Sequence, residues 1–147
     1  MDQHQNFGFL LHDVTRLYKR RFEQRSMQLG LTLSQCKTLS LLARHEGISQ
    51  RQLADLAEID AMGIVRILDR MEEDGWVERR ADPQDRRARR LALTAGAKPI
   101  LDEVSRIAAD TRSEVLLGLS VDQRDQLVSL LERVHANEQA LKPLELS

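Results

Sequence analysis

The sequence predicts a mainly α-helical fold that carries one small β-hairpin. Only 7 glycines and 3 prolines occur among 147 residues. Over most of the chain, apolar residues recur three and four positions apart, which is typical of amphipathic helices. The stretches 76–80 and 89–93 break this period and contain strand-forming residues, and ADPQD, which follows the first, has the proline and aspartates of a loop. A short helix-turn-helix pattern precedes the hairpin, so we predict a winged helix-turn-helix with further helices at both ends.

The first two helices have clear limits in the sequence. One apolar stripe predicts a long helix over 6–29, and Gly30 is suited to end it. Thr32 and Gln35 form a Thr-x-x-Gln capping box, which satisfies two backbone N–H groups at the start of a second helix. The predicted apolar face of this second helix consists of Cys36, Leu39, Leu42 and Ala43.

Residues 49–74 have the proportions of a helix-turn-helix. Ser49 and Gln52 form a second capping box before a short helix, and Asp60 can cap a further helix over 61–74 that ends at Gly75. In such a unit the first helix crosses the nucleic-acid backbone and the second enters the major groove. The predicted inward residues are Leu53, Leu56 and Ala57 on the first helix and Ile64, Ile67, Leu68 and Met71 on the second.

Helical spacing resumes after Thr94, and Ser120 and Gln123 form a third capping box. The apolar face of the last helix consists of Leu127, Leu130, Leu131 and Val134. We therefore predict one domain over 1–147, with a winged helix-turn-helix lobe over 33–94 and a helical dimerisation region formed by 6–29 and 95–140. A chain of this length has little other material to cover the stripes of both terminal helices, so we expect a homodimer.

Composition argues against several classes of protein. The formal net charge is -1, so any anion-binding surface must come from local clustering of charge. No apolar run is long enough for a membrane span, the N-terminus lacks the basic segment of a signal peptide, and the single cysteine suits a reducing compartment, so we expect a cytoplasmic location without a membrane partner. Phosphate-loop, nucleophile-elbow and metal-ligand spacings are missing, so we expect no enzymatic activity, no cofactor and no metal.

The hairpin concentrates positive charge at its tip. Four arginines fall within five positions, namely Arg86, Arg87, Arg89 and Arg90. A hairpin beside a helix-turn-helix would lie over the adjacent minor groove, whose negative potential attracts arginine. Asp85 precedes Arg87 by two residues, and in an extended hairpin the two would share a face, so we expect the carboxylate to hold the guanidinium. Arg79 and Arg80 would instead neutralise the acidic residues at 72–74.

These segments resemble the MarR family of winged-helix regulators. DPQDRRARRLALTAGAK is similar to the family's wing signature, with Asp85 and Arg87 at the tip and Leu93 and Thr94 ending the strand. LADLAEIDAMGIVRILDRMEEDGWVERR is similar to the family's helix-turn-helix running into the first strand of the wing. The Val-Arg and Leu-Asp pairs within this segment, and its Glu-Asp-Gly end, look most like the SlyA branch. The resemblance covers nearly the whole chain.

The resemblance implies a homodimeric transcriptional regulator that binds a pseudo-palindromic double-stranded DNA operator. It implies that helix 61–74 reads the major groove and that Arg87 reaches the minor groove. Repression is the expected direction, relieved by a small aromatic or phenolic effector. The predicted DNA-contacting residues are Ser49, Gln50, Arg51, Ala61, Met62, Gly63, Arg66, Arg70, Asp85, Arg86, Arg87 and Arg89.

Departures from the family pattern suggest how bases would be read. Glu58 stands in a turn where the family usually has glycine. Ala61, Met62 and Gly63 stand where small polar residues are usual, and Gly63 would permit close approach of the backbone to phosphate. Fewer hydroxyl groups mean fewer hydrogen bonds to bases, so we predict that reading depends on Arg66, on apolar contacts such as Met62 with thymine methyl groups, and on groove shape. After the wing, glycine falls one position earlier than is usual.

Several other interpretations stay open from the sequence alone. A winged-helix module that binds a protein and no nucleic acid is the main alternative, and the near-zero net charge favours it. Cys36 either packs in the core or senses oxidants, with packing the preferred interpretation. His12, Tyr18 and Arg21 either line an effector crevice or are ordinary packed and solvated residues. The basic residues at 16 and 19–21 either form a solvated face or contact phosphate.

Overall fold

The computed structural model describes residues 3–145 and confirms the predicted fold class. Residues 1–2 and 146–147, the ends of the predicted domain 1–147, lie outside the described residues. In order, the elements are α1 (Phe7–Gln28), α2 (Leu33–Arg44), α3 (Gln50–Ala57), α4 (Ala61–Glu73), β1 (Val77–Ala81), β2 (Arg89–Leu93), α5 (Lys98–Val115) and α6 (Val121–Ala140). Short 3-10 turns, Gln3–Asn6 and Ala95–Ala97, precede α1 and α5. Contacts divide the chain into two compact units, one ending at Thr111 and one beginning at Arg112.

The predicted ends of the helices are confirmed. Gly30 has φ +72°, and the amides of Gly30 and Leu31 donate to the carbonyls of Met27 and Ser26, each at 3.0 Å. This is the paired hydrogen-bond pattern with which a left-handed glycine closes a helix. All three capping boxes form, at the starts of α2, α3 and α6. The strongest local signals in the sequence therefore correspond to real helix boundaries.

Glu58 occupies the left-handed conformation in the turn between α3 and α4. Its φ and ψ are 55° and 42°, and it is the only residue other than glycine with positive φ among the described residues. The left-handed conformation brings Cβ close to the following carbonyl oxygen, so every residue except glycine is strained there. The turn still forms because the amide of Ile59 donates to the carbonyl of Ala54 at 3.0 Å and the helices on either side are packed.

Replacing Glu58 by glycine should stabilise the protein by about 0.5 kcal/mol, because relief of the left-handed strain exceeds the extra flexibility given to the unfolded chain. The corresponding rise in Tm is about 1–2 °C and is measurable by calorimetry. Glu58→Ala is the matched control, since it removes the charge and keeps the strain. An equal rise in both variants would mean that charge, and not backbone conformation, is responsible.

The core of the first unit lies under the helix-turn-helix and the hairpin. Its fully buried side chains include Leu39, Leu42, Leu53, Ile64, Leu68, Met71, Val77 and Leu91. Ala54 and Ala57 are buried, at 9% and 3% exposed. Their small side chains allow the close approach of α3 and α4. Lys37 Nζ donates to the carbonyl of Ala57 at 2.9 Å and so caps the end of α3. The predicted inward face of α4 is confirmed, with Ile67 partly buried against the core.

Two residues that were predicted to face inward, Ala43 and Leu56, are exposed, so these two predictions are wrong. Ala43 is exposed, and the polar Thr38 is buried in α2 instead, with its hydroxyl donating to the carbonyl of Ser34 at 2.8 Å. Leu56 is 47% exposed, because the two turns of α3 pack through Leu53 and the two alanines described above. A small helix covers only a narrow strip of the core, so an apolar residue at its margin remains in contact with solvent.

The hairpin pairs Val77 with Leu93 and Ala81 with Arg89 in antiparallel register. The first strand begins one residue later than predicted, because Gly75 at φ +80° closes α4 and the amide of Trp76 still donates to the carbonyl of Met71. Thr94 bonds back to Gly75, its hydroxyl donating to the Gly75 carbonyl. A Cβ on Gly96 would lie 3.0 Å from that carbonyl oxygen, which explains glycine at this position before α5 begins.

Apolar stripes remain uncovered on both terminal helices. On α1, Phe7, Leu10, Val14 and Leu17 are each more than half exposed. In the second unit, no residue of α6 is buried, and Leu130 and Leu131 are 52% and 46% exposed. The predicted inward face of α6 is therefore formed but remains exposed to solvent among residues 3–145. No helix among the described residues has the length and apolar character that crossing a membrane requires.

Candidate nucleic-acid interface

A cleft of about 940 Å³ lies between the N-terminal ends of α3 and α4 and the loop of the hairpin. It brings together most of the predicted contact residues: Ser49, Gln50, Arg51, Ala61, Asp85, Arg87 and Arg89. The others lie outside its lining: Met62, Gly63, Arg66 and Arg70 on α4 and Arg86 on the loop. The side chains of Met62 and Arg66 are exposed on the outer face of α4, with Met62 at 69%.

The N-terminus of α3 offers backbone donors to the cleft. Ser49 Oγ accepts from the amide of Gln52 at 3.1 Å, and Gln52 Oε1 accepts from the amide of Ser49 at 3.2 Å. The amides of Gln50 and Arg51, in the first turn, have no acceptor within the helix. They point out of the helix end that carries the positive end of the dipole, which is an arrangement suited to phosphate.

The N-terminus of α4 is organised differently, because a carboxylate caps it. Asp60 Oδ1 accepts from the amide of Gly63 at 2.6 Å. A Cβ on Gly63 would lie 2.8 Å from Ile59 Cγ2 and 3.1 Å from Asp60 Oδ1. Gly63 is therefore required by the packing of the turn, and its amide is already occupied. This is a different role from the predicted close approach to phosphate.

A second aspartate, which is not among the predicted contact residues, anchors the hairpin loop. Asp82 Oδ1 accepts from the amide of Gln84 at 2.8 Å, and Oδ2 accepts from Arg90 Nε at 2.9 Å. The same guanidinium donates to the carbonyl of Gly47 at 3.1 Å, so the loop is tied to the segment before α3. The hydrogen bond from Gln84, and then the one from Arg90, lower the pKa of the Asp82 carboxyl. In the strand register Arg90 faces Arg80, and Asp82 follows Arg80 by two residues. The side chains of Asp82 and Arg90 are therefore diagonal neighbours on one face of the hairpin.

The predicted contact between the Asp85 carboxylate and the Arg87 guanidinium is wrong. Asp85 Oδ1 accepts from the backbone amide of Arg87 at 2.9 Å, and the carbonyl of Asp85 accepts from the amide of Ala88 at 3.2 Å. The reason is local geometry: these residues form a turn and not an extended strand, so positions two apart do not share a face. Asp85 therefore fixes the backbone of the loop and leaves the side chain of Arg87 unrestrained.

The arginines of the hairpin divide into two groups. Arg89 donates to the carbonyls of Arg86 and Ala88, at 3.4 and 3.3 Å, and Arg90 is held by Asp82. In contrast, across residues 3–145 the guanidinium groups of Arg86 and Arg87 make no ion pair or hydrogen bond. Within the hairpin, the positive charge that remains available to a ligand is thus concentrated at the exposed tip, on Arg86 and Arg87.

The acidic end of α4 is only partly neutralised in the predicted way. Arg79 bonds Glu72 at 3.4 Å, as expected, and also Asp69 at 2.7 Å. Arg80 pairs with Glu78 at 2.9 Å and not with the end of α4, because it lies on the opposite face of β1 from Arg79. Arg70, a predicted contact residue, has its guanidinium 3.4 Å from Asp74, a residue in that same acidic segment.

Cys36 is buried in the core of the first unit, with 1% of its surface exposed. Burial raises the pKa of its thiol from 9.0 to about 11. A buried, protonated thiol is a poor nucleophile, which favours the packing interpretation over oxidant sensing. On α1, Tyr18 stacks on Phe22 with ring centroids 6.4 Å apart, and Arg21 bonds Gln24 at 3.2 Å, both as expected for packed and solvated residues.

The shift at Cys36 predicts a pH dependence of stability. Between pH 9.0 and about 11 the folded protein retains a thiol proton that the unfolded chain has lost, so the free energy of unfolding falls as pH rises through this window. Below pH 9.0 the group contributes no pH dependence. Denaturant unfolding of wild type and Cys36→Ala should show a difference that changes only within the window. A constant difference at every pH would contradict a raised pKa.

The chain is similar to one family model and to several proteins of known structure. Residues 31–88 match the model of the MarR family. The chain is 29% identical to wild-type MarR from E. coli in its apo form, over 86% of this chain and 94% of that chain, with a TM-score of 0.77. It is 32% identical to the transcriptional regulator PA3341, over 92% and 99% of the two chains, with a TM-score of 0.78. A cysteine-to-serine mutant of E. coli MarR, solved in complex with operator DNA, is 28% identical over 91% and 99%, with a TM-score of 0.71.

Proposed function

The chain belongs to the MarR family, and on that premise we propose that it is a sequence-specific, DNA-binding regulator of transcription that acts as a homodimer. The observation that carries the proposal is that the N-terminal ends of α3 and α4 and the unpaired Arg87 of the hairpin tip line one cleft. The relative solved with operator DNA supports the same assignment, since its fold matches over nearly the whole of both chains.

In the proposed complex, α4 enters the major groove with its N-terminal half. Its C-terminal end carries Glu72, Glu73 and Asp74, which phosphate would repel. Arg66 is exposed and makes no ion pair across residues 3–145, so its guanidinium is available for a guanine edge. Met62, 69% exposed, suits the methyl group of thymine.

The other two elements hold the protein on the duplex. The N-terminus of α3 meets the phosphate backbone, as expected of the first helix of a helix-turn-helix. The contacting groups are the amides of Gln50 and Arg51 and the side chain of Arg51. Arg86 and Arg87 meet the minor groove. The carboxylates of Asp82 and Asp85 accept hydrogen bonds from backbone amides of the loop and so keep it in one shape.

A second copy of the chain would cover the apolar stripes of α1 and α6, which are exposed in the part of the chain that the structure describes. A twofold dimer presents two wings and two reading helices, so the operator should be an imperfect palindrome with half-sites about 10 bp apart. The family resemblance supports the finer assignments: the SlyA branch, repression relieved by a small aromatic or phenolic effector, no enzymatic activity, and action in the cytoplasm.

The proposal is tested by selection from a randomised duplex library. The wild-type protein should enrich one sequence, here called the selected duplex, and footprinting should show two protected half-sites about one helical turn apart. Footprinting DNA that flanks the protein's own coding region would then locate a natural operator. Failure to enrich any sequence, with no protection at concentrations that saturate random DNA, would contradict sequence-specific binding.

A protein-interaction module without DNA binding is the second candidate. The favouring observation is the charge balance of the cleft, which Asp55, Asp60, Asp82 and Asp85 line together with its arginines, in a chain of net charge -1. However, Asp82 is committed to Arg90, and Asp60 and Asp85 accept backbone amides, so three of these carboxylates already have partners within the fold.

A further inference from the structure

Arg79 lies on the face of β1 that packs on α4, a position unusual for a charged residue. It is paired with Leu91, which is 1% exposed, and residues directly opposite each other in a sheet share a face. Its guanidinium contacts α4 at three points: Asp69 Oδ1 at 2.7 Å, Glu72 Oε2 at 3.4 Å and the carbonyl of Val65 at 3.2 Å. The side chain is only 21% exposed.

These contacts follow one stripe of α4, because positions 65, 69 and 72 are four and three residues apart. Asp69 also belongs to a second stripe. Positions 62, 66 and 69 have the same spacing, and the first two carry Met62 and Arg66, the exposed residues assigned above to base reading. Asp69 therefore lies between Arg79 on one side and Arg66 on the other, and a carboxylate three residues after an arginine is within reach of its guanidinium.

We propose that Arg79 is a positioning residue that holds the Asp69 carboxylate against the hairpin and thereby keeps Arg66 free to read a base. The inference rests on the proposed function. Asp69 is 55% exposed, so its carboxylate would be mobile without a partner, and Arg66 is the nearest arginine along its stripe. Arg79 has a second partner in Glu72 and a third in the Val65 carbonyl, so it is fixed well enough to retain Asp69.

In Arg79→Gln the released Asp69 carboxylate pairs with Arg66, and Arg66 then no longer contacts its base. The ratio of affinities for the selected duplex and for a random duplex should fall by about 5- to 10-fold, a typical coupling between residues of one ion-pair network. Affinity for the random duplex, and its dependence on salt, should stay at the wild-type values because no phosphate contact is lost.

The decisive variant is the double substitution of Arg79→Gln with Asp69→Asn. Removing the carboxylate leaves nothing to capture Arg66, so the affinity ratio should return most of the way to the wild-type value. A purely structural bridge from β1 to α4 would give no such recovery, because the double variant lacks the bridge as well. Arg80→Gln is the matched control, since within residues 3–145 Arg80 pairs only with Glu78, on the other face of the same strand.

Four results would overturn the inference. One is an unchanged affinity ratio in Arg79→Gln, and another is a reduced ratio that the double variant does not recover. A salt slope reduced by about one in Arg79→Gln would mean that Arg79 itself contacts phosphate. A wild-type protein with no selective binding would overturn the proposed function first, which separates the two failures. Circular dichroism melts confirm that each variant compared is folded.

Discussion

Replacing Arg87 by alanine is expected to weaken binding to the selected duplex by about a hundredfold, because each of the two wings of a dimer loses roughly 1–2 kcal/mol. The guanidinium makes no ion pair within residues 3–145, so its removal leaves no buried partner behind. The loop should also keep its shape, since Asp85 bonds the backbone amide of residue 87, which alanine retains. The effect should therefore appear in affinity and not in stability, as measured by mobility shift and by thermal melting.

Two further variants sharpen this experiment. Arg87→Lys keeps the charge and removes the planar fork, so an intermediate loss would indicate groove recognition beyond simple charge. Arg80→Ala removes one arginine from the same hairpin, on the outer face of β1, and should have little effect. Affinity of Arg87→Ala equal to that of the wild type in moderate salt would disprove the role of the hairpin tip.

Placing a charge on the exposed stripe of α6 should dissociate the dimer. Leu131 is 46% exposed in the single chain, and in the proposed dimer Leu131→Glu would bury a carboxylate against apolar side chains. Burial of an unpaired charge costs several kcal/mol. Sedimentation velocity should show the mass of one chain, and affinity for the selected duplex should fall by at least about tenfold because the two half-sites are no longer bound together.

The matched control is Ser129→Glu, which introduces the same side chain two residues away, on the opposite face of α6. It should remain a dimer and bind DNA normally. Circular dichroism distinguishes dissociation from unfolding. A wild-type protein that sediments as a single chain, or a Leu131→Glu variant that sediments as the wild type does, would contradict the proposed interface.

Local signals in the sequence predicted most of the fold. Each capping box names two residues three positions apart that satisfy each other's backbone, so Thr32, Ser49 and Ser120 mark helix starts without tertiary information. Gly30 and Gly75 mark helix ends for a similar reason, since both need positive φ. The change of apolar period located the hairpin to within one residue.

The parts that sequence could not predict depend on which face a side chain occupies. The Asp85 prediction assumed an extended strand at a position where the chain turns. The contact of Arg79 with Glu72 was predicted, but its contacts with Asp69 and the Val65 carbonyl follow from the strand register with Leu91, which directs Arg79 onto α4. Leu56 reads as a core residue, but the extent of the core beneath α3 is a tertiary property. The stripes of α1 and α6 were predicted as apolar, and the structure adds that they stay exposed among the residues it describes.

The most direct test of the central claim is the salt dependence of binding to a random duplex. A surface in which the N-terminus of α3 meets phosphates and the unpaired Arg86 and Arg87 enter the minor groove releases counterions. The observed affinity should therefore fall steeply with salt, with a logarithmic slope of about -4 or steeper. Fluorescence anisotropy between roughly 50 and 200 mM salt covers the useful range. A slope close to zero would contradict DNA binding by this surface and would favour the docking of a protein.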